Sequence, residues 1–117
     1  MDRDPHLFSE VLFASGKSEF AESDAASLRN ALPQLIELMQ RAPKMHLVVV
    51  GHADAKTDRA NADKLAAARA LAVHAYLIRN GVSPKRSTRS SQGTAQPVVM
   101  RGDSGRNRRV EILVYTD

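Results

Sequence analysis

The chain has 117 residues, room for one domain with a single core. Its 43% hydrophobic and 26% charged residues are those of an ordinary globular protein. It has no cysteine, which excludes disulfides and cysteine-based zinc sites, and no apolar run near the ~20 residues that a membrane-spanning helix needs. Aromatic residues are 4% and tryptophan is absent, so the core is expected to be aliphatic. The net charge of +4 is uneven: Lys85 to Arg109 holds seven Lys or Arg and one acid, Asp103, which leaves the rest of the chain at −2. Such a basic third fits either a solvated surface or contact with nucleic acid, anionic lipid or an acidic polymer. The start, Met1-Asp2-Arg3-Asp4-Pro5, does not read as a signal peptide. The chain is expected to be cytosolic or a domain of a longer exported protein.

Glu10 to Phe13 predicts a short strand, broken by the loop Ser15-Gly16-Lys17-Ser18. Ser23 or Asp24 is the expected helix cap. Ala25, Leu28, Leu32, Leu35, Ile36 and Met39 follow at helical spacing. Pro33 predicts a kink or a second segment, and Pro43 a stop. Met45 to Val50 reads as a strand at the centre of a sheet. After a polar loop from Ala53 to Ala60, a helix is expected from Asn61 to Asn80, stopped by Asn80-Gly81. Its predicted buried stripe is Leu65, Ala72, Val73, Tyr76 and Leu77, with Arg69 on the same face. Ser87 to Ser91 suggests a polar edge strand. Thr94 to Arg108 is a long basic loop, and Val110 to Tyr115 a final alternating strand. The order βαβαββ implies a small α/β sandwich (an α+β sandwich), with the helices packed on one sheet. The whole of 1–117 is read as one domain, with residues 1–8 a flexible lead-in.

Three constellations bear on function. Gly16-Lys17-Ser18 hints at a phosphate loop, but the Walker pattern needs a glycine where Val11 stands. Gly16 then marks a tight turn, or a place where backbone approaches a ligand. His46, His52 and His74, with Asp54, Asp58 and Asp63, raise a metal site or a metal-dependent hydrolase, but no third ligand has a fixed spacing, and no metal or cofactor is expected. No nucleophile stands beside a base, which argues against an enzyme. The third is Gly51-His52-Ala53-Asp54 with Arg69, fifteen residues beyond Asp54. An arginine on a buried helix face is costly unless an anion meets it. The pair reads as an internal salt bridge or as a split site, Asp54 taking an ammonium and Arg69 a carboxylate through its planar fork. An amino-acid head group carries both charges on one carbon. Against nucleic acid, the basic stretch has almost no aromatics to stack on bases; steep salt dependence and indifference to Asp54→Ala would mark that alternative.

These residues resemble the OmpA-like peptidoglycan-binding domain family, that of the OmpA C-terminal, Pal and MotB domains. The likeness rests on Gly51-His52-Ala53-Asp54; on Leu65, Arg69-Ala70, Val73 and Tyr76-Leu77, ending in Gly81-Val82; and on Asn107-Arg108-Arg109-Val110-Glu111-Ile112. It implies a mixed four-stranded sheet with helices on one face, in the periplasm of a Gram-negative bacterium. Any membrane anchor would lie outside these residues. It also implies non-covalent binding of peptidoglycan through the diaminopimelate of the stem peptide, whose side chain ends in an ammonium and a carboxylate on one carbon. By resemblance Asp54 is the acidic anchor, Arg69 the basic one, Gly16 a loop position giving backbone to the site, Asn61 a ligand contact and Arg108 part of the basic rim. The chain departs from the family at Thr57, usually glycine, at Ala62, usually asparagine, and at Ala66, often serine. The short spacing after Asp54 is unlike MotB-type members, which argues against a stator role.

Overall fold

The computed structural model describes residues 5–20, 25–54, 61–93 and 107–116. Four strands, β1 (His6–Leu12), β2 (Met45–His52), β3 (Ser87–Gly93) and β4 (Arg109–Thr116), form one sheet in the order β1-β4-β2-β3. The β1–β4 and β4–β2 pairs are antiparallel and the β2–β3 pair is parallel, so the sheet is mixed. Helices α1 (Ala26–Arg41) and α2 (Ala62–Arg79) complete the expected order. Leu28, Leu32, Leu35 and Met39 of α1 share one core with Val73 and Leu77 of α2 and with Val11, Leu47, Val49, Val110 and Ile112 of the sheet. Both helices therefore lie on one sheet face, and that core is largely aliphatic.

Three details differ from the sequence reading. β1 starts at His6, so His6 to Phe8 are strand residues and not part of a lead-in. A bulge between Leu7 and Ser9 breaks the two-residue alternation that would have revealed them. α1 runs unbroken through Pro33, with Ala25 at its N-cap; the expected caps Ser23 and Asp24 lie outside the described residues. In α2 the buried positions are Ala62, Ala66, Arg69, Ala70, Val73, His74 and Leu77. The stripe is rotated from the predicted one: Leu65, Ala72 and Tyr76 are only half-buried, and alanines meet the sheet.

Arg86, in a short 3-10 turn before β3, donates to the carbonyls of Ala42 and Met45 and joins the end of α1 to the start of β2. Gly81 takes φ +110 just beyond α2, the left-handed stop expected of it. No helix among the described residues is long and apolar enough to cross a membrane.

Candidate functional site

The candidate site lies at the C-terminal end of β2. Apolar residues carry it through the sheet to Gly51, where α2 comes very close. A Cβ built on Gly51 would lie 1.9 Å from the Ala66 carbonyl oxygen and 3.1 Å from the Ala70 Cβ. Glycine on the strand and alanines on the helix allow that approach, and it sets Arg69, between those alanines, against the strand end.

Arg69 is fully buried. Its Nε donates to the Lys17 carbonyl at 2.7 Å, Nη1 to the His52 carbonyl at 3.2 Å and Nη2 to the Ala14 carbonyl at 3.2 Å. Its guanidinium carbon sits 5.5 Å from the centre of the Phe13 ring, within cation–π range. One side chain thus ties α2 to β2 and to the loop after β1. Gly16 lies in that loop at φ +70, within a turn closed by Lys17 N–H on the Ala14 carbonyl. The loop's backbone thus meets Arg69 through the carbonyls of Ala14 and Lys17. Phe20 holds it from beyond, its ring edge-on to Phe13 at 5.9 Å and to Tyr76 of α2 at 5.6 Å.

Asp54 is 1% exposed and lies two residues beyond His52, whose carbonyl Arg69 holds. Its Oδ2 accepts a hydrogen bond from Asn107 Nδ2 at 3.1 Å. Asn107 is itself buried and stands two residues before β4. Its neighbour Arg108 is bound to Phe13 twice: Phe13 N–H donates to the Arg108 carbonyl at 2.8 Å, and Arg108 Nε to the Phe13 carbonyl at 3.0 Å. Arg69, the loop after β1 and Arg108 therefore meet at Phe13, and Asp54 is joined to them through Asn107, the neighbour of Arg108. Asn61 is exposed at the N-cap of α2, and its side chain makes no capping bond. The family departures that are described pack together, since Ala62 and Ala66 form a small buried cluster with Ala53. Thr57 and Asp58 lie outside the described residues.

Sequence reasoning missed Asn107 and a second buried cluster on the helix-free face. There His52 Nε2 donates to Glu111 Oε1 at 2.7 Å, and Arg109 Nε lies 3.4 Å from Glu111 Oε2. A carboxylate only accepts, so the His52 proton is on Nε2; Nδ1 has no hydrogen-bond partner among the described residues. Burial, then the charge of Arg109, lower the His52 pKa against the opposing pull of Glu111. His74 is also lowered, by burial and then by Arg89. Its Nε2 meets Ser87 Oγ at 2.9 Å while that hydroxyl lies 2.9 Å from the Ser83 carbonyl, to which its single proton goes. Nε2–H is therefore the donor, and this Ser–His pair is a structural bridge and not a base activating a nucleophile. His46 stacks on Tyr115, 5.6 Å between ring centres. The three histidines are thus dispersed, and no group of three metal-ligating side chains occurs among the described residues.

The lowered histidines make stability depend on pH. Their folded-state pKa values lie below the ordinary 6.5, so the unfolded chain takes up protons first as pH falls. Their contribution is intact above about 6.5 and is lost as pH falls through the lowered values. The urea midpoint is expected to fall between pH 7 and pH 5, and His74→Gln to flatten that fall. An equally steep profile in the variant would count against this assignment.

The OmpA family profile matches residues 12–111. Outer membrane porin F of Pseudomonas fluorescens is 32% identical over 108 residues, 90% of this chain and 32% of that protein. Motility protein B of Helicobacter pylori is 33% identical over 120 residues, 95% of this chain and 45% of that protein. The chain thus spans less than half the length of these relatives. Among solved structures, the peptidoglycan-associated lipoprotein from Burkholderia pseudomallei superposes with a TM-score of 0.75 at 25% identity, covering 92% of this chain and 89% of the other. The C-terminal domain of Helicobacter pylori MotB gives 0.71 at 29% identity, covering 97% and 85%. Likeness to the motility protein is as extensive as to the lipoprotein. These similar proteins are components of the Gram-negative cell envelope. The mixed sheet, the two helices on one face and the profile spanning β1 to β4 place the chain in the OmpA family, as an OmpA-like domain of the Pal and MotB type.

Proposed function

We propose that this domain binds peptidoglycan without covalent chemistry, reading the diaminopimelate of the stem peptide, and tethers a larger envelope protein to the wall from the periplasm. One observation carries the reading: a carboxylate and a guanidinium of opposite sign are brought to one strand end, at Asp54 and Arg69, and both are buried. An ammonium on Asp54 and a carboxylate on Arg69 match a zwitterionic head group, and recognition of that kind needs no catalytic group. Family membership is consistent with peptidoglycan as the partner.

The same burial favours a second reading. Asp54 is 1% exposed and Arg69 0%, and the Arg69 guanidinium already meets three carbonyls. In that reading the charges hold loops together. In the binding reading a head group meets them only as the covering segments part, and that opening lowers the apparent affinity.

Calorimetry with a diaminopimelate-containing stem peptide, beside a lysine-containing analogue lacking the extra carboxylate, separates the readings. Heat with the first and not the second is the expected result. Silence with both would leave the pair a structural one.

A further inference from the structure

We infer that Asn107 is a positioning residue that fixes both the direction and the charge of the Asp54 carboxylate, and so determines how strongly the site reads an ammonium. The amide end facing a carboxylate must be the NH2, because a carboxylate offers only lone pairs, so the donor at 3.1 Å from Oδ2 is assigned by chemistry. A hydrogen bond donated to a carboxylate favours its ionised form, and this one holds Oδ2 toward the chain before β4. Asn107 is 4% exposed and Asp54 1%, so water competes poorly for the bond.

Asn107 is itself held. The next residue, Arg108, is locked to Phe13 by two hydrogen bonds, and Arg69 lies over the ring of that same Phe13. Asp54 through Asn107, and Arg69 directly, are thereby referenced to a single residue. That arrangement fixes the spacing between an ammonium-reading and a carboxylate-reading group, which a head group with both charges on one carbon requires.

The ligand part of this inference rests on the binding reading above; the carboxylate part does not. The test substitutes Asn107→Leu, similar in shape and without a donor, and reads two quantities. The first is the titration of the Asp54 carboxyl carbon by NMR without ligand, expected to move to higher pH. The second is calorimetric Kd for the diaminopimelate stem peptide, expected to rise about tenfold or more for loss of a charge-assisted bond. Should leucine at this position prevent folding, Asn107→Ala carries the same two readouts. A folded variant with unchanged Asp54 titration and unchanged Kd overturns the inference. Wild-type protein that gives no heat, while the Asp54 titration still moves, overturns the binding reading and upholds the positioning role.

Discussion

Arg69→Ala is expected to cost the fold more than about 3 kcal/mol and to remove stem-peptide binding. The two losses have separate origins. The stability term comes from the carbonyls of Ala14, Lys17 and His52, which lose their guanidinium donor, although that of Ala14 keeps the Lys17 N–H. A buried acceptor left unmade costs about 1–3 kcal/mol, and a cavity beside Phe13 adds to it. For a domain of this size the thermal midpoint should drop by more than about 10 °C. Arg69→Lys should rescue little, since a single compact ammonium does not span three carbonyls held by a planar fork. Because this loss of stability confounds the binding result, Asp54→Asn is the cleaner companion. It keeps the shape and the acceptor for Asn107 while removing the charge. It should fold and bind the diaminopimelate peptide about 2–5 kcal/mol more weakly, the range for breaking one side of a buried charge pair. Wild-type-like Kd in a folded Asp54→Asn protein would leave the strand-end charges to the fold alone.

The same constellation shows what the sequence could and could not disclose. β2, α2 and their junction were readable because Val48 to Val50 is continuous, Gly51 ends the run and Asn80-Gly81 ends the helix. Arg69 could be placed on the buried face because helical spacing from Leu65 to Val73 is local. The true buried stripe was not readable. Ala66 and Ala70 carry little hydrophobic signal, yet they are what fits against a strand glycine, while the larger Leu65 and Tyr76 turn partly outward. Nor was Asn107 given a role, although it stands in a stretch that marks the family. Its partner is 53 residues away, and no periodicity reports a contact of that range. The helix-free cluster of His52, Glu111 and Arg109 was missed for the same reason: it exists only once β4 pairs with β2 and sets Glu111 opposite Val50.

Basic charge between Lys85 and Arg109 likewise changes meaning in the fold. Arg86 holds two carbonyls, Arg108 holds Phe13, and Arg109 is 4% exposed beside Glu111. Three of the seven cations are thus built into the domain. The described part of this stretch is therefore a weaker electrostatic footprint for nucleic acid than its net charge suggests.

Gly51→Ala should be more disruptive than the same change at Gly16 or Gly81. A Cβ there would sit 1.9 Å from the Ala66 carbonyl oxygen and 2.9 Å from its carbonyl carbon. Both are backbone atoms of α2, so no side-chain rotation relieves the clash, and the helix must move off the sheet. Moving it opens the contact at Ala70 and withdraws Arg69 from the carbonyl of His52, the residue after Gly51. The expected loss is about 3 kcal/mol or more, with stem-peptide binding lost in whatever folds. Gly16→Ala is the control that isolates the cause. Its Cβ would meet nothing within 4 Å, but the residue has φ +70, so the cost is conformational, about 1–2 kcal/mol. Urea unfolding of the two variants should therefore separate close helix–strand approach from turn strain. Equal losses would mean that α2 yields to the added methyl, and that the placement of Arg69 does not depend on how closely the helix lies on β2.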